Sequence, residues 1–390
     1  MAEHYDAIVI GCGPGGSFFA KTAAKKGMNV VVLEKKKDLG SPVRCGEGIA
    51  TQWDASYGLP LNEKSIAMKI DAAMAIAPNG TTFKMGGEGA VVERKIFDKF
   101  LAIDAARAGA HILPKTLVTD LVRENGKIVG VKAKRFGEEI EFRAPLVVSA
   151  EGMENTIARK AGMKVQHTLY DTDVCYEYEM ANVPCEPIIE LFFGNRISPR
   201  GYVWIFPKAK DVANVGIGVG GETGADPKAL LDAFIRERPE RFKHAEIIEV
   251  KGGDISVGAS SEQLVQDNFM VIGTAAHMVD PIHGGGMGLA ITAGKIAAEV
   301  AAEAHERKDY SRDALVRYEK EWHAGEGATM LKRLKLRKTM EGLSDDDLNF
   351  IFENVDGKDA GKLMDGDFKP IVARLLIKRP SLLKVVKSLM

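Results

Sequence analysis

At 390 residues the chain is long enough to bury two or three closely connected cores and too long for one small domain. Hydrophobic residues at 45% and charged residues at 27% are ordinary for a soluble globular protein, and 53 basic against 54 acidic side chains leave a formal charge of −1, which argues against nucleic acid as a partner. Four cysteines, Cys12, Cys45, Cys175 and Cys185, form no CxxC pair and no Cys/His cluster, so free thiols are expected and neither a disulfide framework nor a metal site is.

The N-terminus reads MAEHYDAIVIG, with no basic region leading into an apolar core and cleavage site, so a cytoplasmic protein is expected. Tyr5 to Ile10 is a short β-branched run, Ser17 to Lys26 a helical pattern of small residues ending at Gly27, and Asn29 to Leu33 apolar again. That order is β-turn-α-β, with strands apolar throughout because a parallel sheet is buried on both faces. Between strand and helix lies Gly11-Cys12-Gly13-Pro14-Gly15-Gly16. Here Gly11 permits the tight turn, Gly13 admits a pyrophosphate to the backbone, and Gly16 lets helix and strand touch. Glu34 ends the second strand, where a carboxylate accepts hydrogen bonds from ribose hydroxyls. FAD and NAD share this fingerprint, so it does not choose between them.

Further along, Ser41-Pro42-Val43-Arg44-Cys45-Gly46-Glu47-Gly48 is a loop whose glycines suit close approach by a flat ring system. Asn79-Gly80 and Asn125-Gly126 read as type I′ hairpin turns, and Phe136-Gly137 extends the second into a three-stranded meander. Val92 to Asp98 introduces an amphipathic helix through Ala108, Ala110 to Leu113 follows as a third parallel strand, and Leu146 to Ala150 is another buried strand. Cys175 to Met180, Ile188 to Phe193, Tyr202 to Pro207 and Asn214 to Gly220 read as a second sheet. Alternation along Tyr202 to Phe206 puts three aromatics on one face, a pattern that also suits plain core. Ile272 to His277 ends a late strand. Asp280-Pro281-Ile282-His283-Gly284-Gly285-Gly286-Met287-Gly288 then leads into an apolar helix whose N-terminus offers amides to an electron-rich group. The apolar stretch, near Gly288 to Ala302, carries Lys295 and Glu299 and is shorter than the roughly 20 residues a membrane-spanning helix needs, so a buried helix is expected. Helices are expected over 290–308 and 312–338. The tail from Phe368 to Met390 mixes leucines with Lys and Arg, as either a membrane-surface helix or one packed on the protein.

The order of these motifs resembles the flavoprotein hydroxylase/reductase superfamily and, more closely, the geranylgeranyl reductase family. The most specific block is Tyr202-Val203-Trp204-Ile205-Phe206-Pro207-Lys208 continuing to Asn214-Val215-Gly216-Ile217-Gly218, which looks like that family's YxWxFP…NxGxG signature. Pro42 to Gly48 and Glu93 to Asp98 look similarly diagnostic. The resemblance implies an α/β (α+β) fold: a Rossmann-like FAD-binding domain of the p-hydroxybenzoate hydroxylase type over 1–165 and 255–305, an antiparallel-sheet substrate domain over 166–254, and a helical C-terminal region over 306–390. It implies FAD as cofactor, bound by Gly11, Gly13, Gly15, Gly16, Glu34, Arg44, Cys45, Gly46, Gly48, Arg94, Val118, Thr274, Asp280, Gly285, Gly286 and Met287. Two positions depart from the superfamily: Gly273-Thr274 stands where Gly-Asp is usual, and Ala150-Glu151-Gly152 where Ala-Asp-Gly is usual.

The implied activity is hydrogenation of isoprenoid double bonds in geranylgeranyl chains of ether-linked membrane lipid precursors. An isolated alkene has no carbonyl to withdraw electrons, so hydride transfer must be coupled to protonation, and positive charge builds on carbon. Aromatic faces in a dry pocket stabilise such charge by about 0.5 to 2 kcal/mol each. Tyr202, Trp204 and Phe206 supply such faces, and Cys45, Tyr202 and Trp204 form the expected catalytic set. Cys45 is a proton donor, an electron relay or packing; Tyr202 and ordered water compete as donors, and His277 and His283 orient water or phosphate or are structural. Expected partners are a prenylated lipid, an external electron donor (ferredoxin, deazaflavin or NAD(P)H) and the inner face of the cell membrane. A flavin monooxygenase acting on an aromatic or isoprenoid substrate is the alternative on this scaffold, and a lipid carrier without turnover stands in a different class.

Overall fold

The computed structural model describes residues 3–50, 61–365 and 367–386. Three sheets organise it. In the first, Val265–Gln266, Phe269–Val271, Leu146–Ser149, Ala7–Ile10, Val30–Leu33 and His111–Leu113 lie side by side in that order, parallel except for the first. Every residue of the strands at 7–10, 30–33 and 146–149 is buried, as continuous apolar runs require of strands covered on both faces. Helices Pro14–Lys25, Arg94–Arg107 and Met287–Arg307 cover one face, while the meander Thr116–Glu124, Lys127–Arg135 and Glu138–Arg143 covers the other, sharing a core that includes Val118, Val131 and Phe142.

The remaining sheet has eight strands, ordered Glu246–Ser256, Thr172–Ala181, Val212–Gly220, Tyr202–Ala209, Ile188–Phe192, Ile66–Ile76, Thr82–Val92 and Gly48–Ala50. All its pairs are antiparallel except 188–192 with 66–76. One face packs Val203, Ile205, Val215 and Ile217 under Leu231, Phe234 and Phe242 of two short helices. The other bears the aromatic ladder. Strands from the first hundred residues thus continue a sheet built mostly between residues 172 and 256.

Several local expectations are refined. Asn125 and Gly126 both take positive φ, as a type I′ turn demands, but of Asn79 and Gly80 only the glycine does. Pro78 is the reason: its ring holds negative φ at the first central position, the amide of Gly80 donates to the Ala77 carbonyl (3.0 Å), and the left-handed residue is displaced to the end of the turn. The helix expected over 312–338 is two, Arg312–Ala324 and Glu326–Met340, broken at Gly325, with fully buried Trp322 donating from Nε1 to Ser260 (3.1 Å) just before the break. The tail is interrupted at Arg379-Pro380; Ile371, Leu375 and Leu382 are buried against Leu343, Leu348 and Val355, so its apolar stripe packs on the protein. The last four residues of the tail lie outside the described residues.

Candidate active site

The glycine turn is shaped by what a side chain would strike. A Cβ on Gly16 would lie 2.0 Å from the Gly11 carbonyl oxygen, and one on Gly11, at φ 101, would lie 2.4 Å from the Ala150 oxygen. Gly13 differs: a Cβ there would meet nothing within 4 Å, which leaves the peptide at the helix N-terminus open to a ligand. Gly15 turns toward the late helix instead, its Cβ position 3.1 Å from the Ala290 oxygen. Glu34, buried at the end of its strand, accepts from the amides of Cys12 (2.8 Å) and Lys36 (2.9 Å), tying the turn to the second strand. The amide of Thr116 donates to the Glu34 carbonyl (2.8 Å), which starts the Val118 strand beside this acid.

The loop at 41–48 reaches the aromatic ladder. Cβ atoms on Gly46 and Gly48 would lie 3.0 and 3.1 Å from the Phe206 ring, so glycine here allows direct backbone-on-ring contact. Along the ladder the ring centroids of Tyr202 and Trp204 are 5.9 Å apart and those of Trp204 and Phe206 6.2 Å. The Tyr202 hydroxyl donates to the His283 carbonyl (2.7 Å), joining the ladder to the glycine turn before the late helix. Cys45 and Met287 share a small apolar cluster with Ile49, Phe97 and Ile291. The fold therefore gathers Cys45, Tyr202, Trp204 and Met287 in one region.

Burial pushes the Cys45 thiol up, against the pull of Arg94, so it keeps its proton at neutral pH. Burial likewise raises the Tyr202 hydroxyl. The Arg94 guanidinium donates to both carboxylate oxygens of Asp98 (2.8 and 2.9 Å). Arg44 lays its stem toward Gly253 of the edge strand, 3.4 Å from that glycine's Cβ position.

The two departures from the superfamily pattern have structural readings. Glu151 accepts from the amides of Ile157 (2.9 Å) and Ala158 (3.1 Å) and from the Ser149 hydroxyl (2.7 Å), so the longer acid caps helix Thr156–Ala161. Thr274 places its hydroxyl 3.8 Å from the Cβ position of Gly286. Asp280 is fully buried and folds the turn, accepting from the amides of Ile282 (2.9 Å) and His283 (3.1 Å) and pairing with Arg333. Burial alone would raise its carboxyl, but His283 and Arg333 hold it well below the usual range. His283 also accepts the Gly285 amide on Nδ1 (3.1 Å), so it belongs to the turn. His277 points elsewhere, stacked 4.0 Å from His167, with Nε2 3.2 Å from the Val165 carbonyl.

A group of charges not anticipated from sequence lies beside the ladder, on the same face of the sheet. Glu47, 1% exposed and left-handed at φ 73, accepts on Oε2 from Lys208 (3.1 Å), Lys251 (3.1 Å) and Asn214 (2.9 Å), and on Oε1 from the Arg94 amide (2.8 Å). Glu179 receives the same two lysines, and Glu177 accepts from Trp204 Nε1 (2.8 Å). Asn214 also donates to the Gly46 carbonyl (3.2 Å). Although burial acts against it, Glu47 is held below the usual carboxylate range by the two lysines. The sequence signal for this cluster is alternation: Lys208 shares a face with Trp204 and Phe206, and Glu177 and Glu179 lie two apart on the next strand but one.

A geranylgeranyl reductase catalytic domain model matches residues 171–255, the stretch holding the ladder with Glu177, Glu179, Lys208 and Lys251, and an FAD dependent oxidoreductase model matches residues 6–186. The chain is 40% identical over 394 residues to the digeranylgeranylglycerophospholipid reductase of Methanothrix thermoacetophila, covering 98% of this chain and 99% of that protein. The same-named protein of Methanocaldococcus jannaschii is 38% identical over 400 residues, covering 100% and 99%. Among solved structures, a geranylgeranyl bacteriochlorophyll reductase-like protein from Thermoplasma acidophilum superposes with a TM-score of 0.92 at 32% identity over the whole of both chains. The flavin-dependent brominase Bmp2, at 22% identity and a TM-score of 0.77 over 97% and 99% of the chains, shares the fold. FAD is the cofactor, and the open backbone at Gly13 under a helix N-terminus fits its pyrophosphate. With full-length relatives at this identity, the chain belongs to the geranylgeranyl reductase family of FAD-dependent oxidoreductases.

Proposed function

We propose that this protein hydrogenates the isoprenoid double bonds of geranylgeranyl chains in ether-linked membrane lipid precursors. The observation that carries the reading is the contact of the Cys45-to-Gly48 loop with the Tyr202-Trp204-Phe206 ladder, which sets a protonated thiol beside aromatic faces. FAD, when bound and reduced, supplies the hydride. The chain supplies the rest. Gly11, Gly13, Gly15 and Gly16 receive the pyrophosphate and Glu34 the ribose. Arg44, Cys45, Gly46, Gly48, Arg94, Val118, Thr274, Asp280, Gly285, Gly286 and Met287 line the remainder of the cofactor cleft. The ladder stabilises positive charge developing on the substituted alkene carbon, and Trp204 is its principal face. Cys45 Sγ–H delivers the proton to the other, less substituted carbon of the double bond; Arg94 offsets the thiolate left behind, and Tyr202, tied to His283, orders the ladder.

Electrons come from an external donor, a ferredoxin, a deazaflavin or NAD(P)H. The domain division we propose is 1–165 with 255–305, 166–254, and 306–390, the hairpin at 66–92 reaching from the first unit into the second's sheet. No helix of the described residues is long and apolar enough to cross a membrane. Lipid access therefore rests on peripheral contact at the inner face of the membrane, through Ile377 and Leu383, exposed among Lys378, Arg379 and Lys384.

The test is single-turnover incubation of photoreduced holoenzyme with a geranylgeranyl lipid in the absence of oxygen, followed by mass spectrometry. A gain of one H2 for each double bond reduced is expected. Unchanged lipid under every donor, or product formed only with oxygen and carrying an oxygen atom, sinks the reading.

A further inference from the structure

Strand register places Trp204, Gly216, Glu177 and Lys251 in one row across four neighbouring strands. Gly216 is the empty position in that row. A Cβ there would lie 2.3 Å from the indole ring, so its absence lets Trp204 lie flat over the neighbouring strand and extend Nε1 to Glu177 Oε2 at 2.8 Å. Glu177 is 3% exposed, and its other oxygen faces Lys251 Nζ at 3.2 Å. Lys251 is divided between Glu177, Glu47 and Glu179, while Lys208 serves Glu47, Glu179 and Glu93. Four carboxylates thus share two ammonium groups. Burying surplus charge of one sign is costly, and the most enclosed carboxylate with the fewest donors is where the cost concentrates. Glu93 and Glu179 reach solvent and Glu47 has four donors, which leaves Glu177.

We infer that Glu177 is a positioning residue of the reductase, acting through Trp204: ionised, it fixes the indole edge, and on taking up a proton it loosens that hold. The inference rests on the proposed role of the ladder in prenyl reduction. Burial pushes Glu177 up to about 7, with Lys251 and the Trp204 donor pulling the other way. The groups facing it are Lys251 on the edge strand, Trp204 on the aromatic strand and Glu47 in the loop, with Cys175 and Glu179 on the same face of its own strand. A hydrogen bond to an ionised acceptor is roughly twice as strong as one to a neutral acceptor, so the protonation state of Glu177 decides how firmly the indole is held.

The test uses holoenzyme labelled with nitrogen-15 at the indoles, the Trp204 resonance being identified by its loss in Trp204→Phe. In the wild type that resonance is expected to titrate with a midpoint near 7, and kcat for prenyl lipid to fall several-fold through the same midpoint on acidification while KM stays level. In Glu177→Gln, whose amide oxygen still accepts the indole N–H but does not ionise, both titrations disappear while FAD absorbance is retained. Glu177→Asp keeps the charge and shortens the reach, so it titrates with an intermediate rate; with the wild type it decides the matter if the glutamine variant does not fold. A Trp204 resonance that is flat in the wild type, or that titrates unchanged in Glu177→Gln, overturns the inference, as does a titrating resonance beside a flat kcat. If the resonance behaves as expected and the wild type reduces no prenyl lipid, the hold on Trp204 stands and the reductase reading falls.

Discussion

The six-stranded and eight-stranded sheets hold their functional faces in opposite ways. Around the glycine turn, position is set by backbone against backbone: Gly16 on Gly11, Gly11 on Ala150, and Gly294 on Gly15, whose carbonyl oxygen would be 2.5 Å from a Cβ. The strands beneath are apolar and fully buried. In the eight-stranded sheet, position is set by charge, with Glu47, Glu177, Lys208 and Lys251 all buried around Asn214. A cofactor shared by many proteins is met by main-chain geometry, which tolerates no added atoms. The face that is proposed to act on an apolar chain is stiffened from its flank by ions, which tolerate no unbalanced removal.

That contrast can be broken from either side. The largest effect is expected of Gly16→Val, since even a Cβ would overlap the Gly11 carbonyl; destabilisation of about 4 kcal/mol or more and loss of flavin absorbance from the purified protein are expected. Next comes Glu47→Leu, which takes from Lys208 and Lys251 the buried carboxylate they share and leaves the Arg94 amide and the Asn214 side chain without that acceptor, at a cost of about 1 to 3 kcal/mol by urea unfolding. Adding Lys251→Met should recover part of that loss; strict additivity would refute the coupling. Trp204→Leu removes a face of the ladder and should lower kcat for prenyl reduction by about tenfold with FAD still bound, a transition-state loss on the order of 1.4 kcal/mol.

The pH dependence of stability should carry opposite signs in two clusters. His167, stacked on His277, is pushed down to about 4 by burial and by its neighbour. With a folded value below the ordinary 6.5, its contribution is present above 6.5 and lost as pH falls toward 4, so Tm should drop on acidification and His167→Asn should blunt the drop. Glu177 is raised, from 4.5 to about 7, so its contribution is present below 4.5 and lost as pH rises through 7. Glu177→Gln should therefore gain stability relative to wild type on the alkaline side. The smallest effect is expected of Arg317→Ala, which breaks the half-exposed pairs with Glu303 and Glu321 and should leave stability within about 0.5 kcal/mol.

Much of the nucleotide-side architecture was legible because its signals are local. Gly11 to Gly16 followed by Glu34 sits within one β-turn-α-β unit, and Gly16 answers to Gly11 inside it, although Gly11 and Gly15 answer to Ala150 and Ala290 far along the chain. Asn125-Gly126 specified its own turn. Asn79-Gly80 did not, because Pro78 one residue earlier changed which position turns left-handed. The tail's leucines were equally good for lipid or for packing until Leu343, Leu348 and Val355 were seen to cover part of them.

The sequence by itself determined the dinucleotide fold, the family and the alternation that puts Tyr202, Trp204 and Phe206 on one face. The fold and the alternation follow from periodicity and from glycine's freedom, which are properties of short stretches of chain, and the family from the resemblance carried by the block at 202–218. Only the tertiary structure decided that Glu47, Glu177, Lys208 and Lys251, up to 204 residues apart, meet beside Trp204. Their meeting depends on strand order and register across the eight-stranded sheet. An isolated buried charge is unfavourable and a paired one is not, so which of these residues the interior accepts is settled only where their partners arrive.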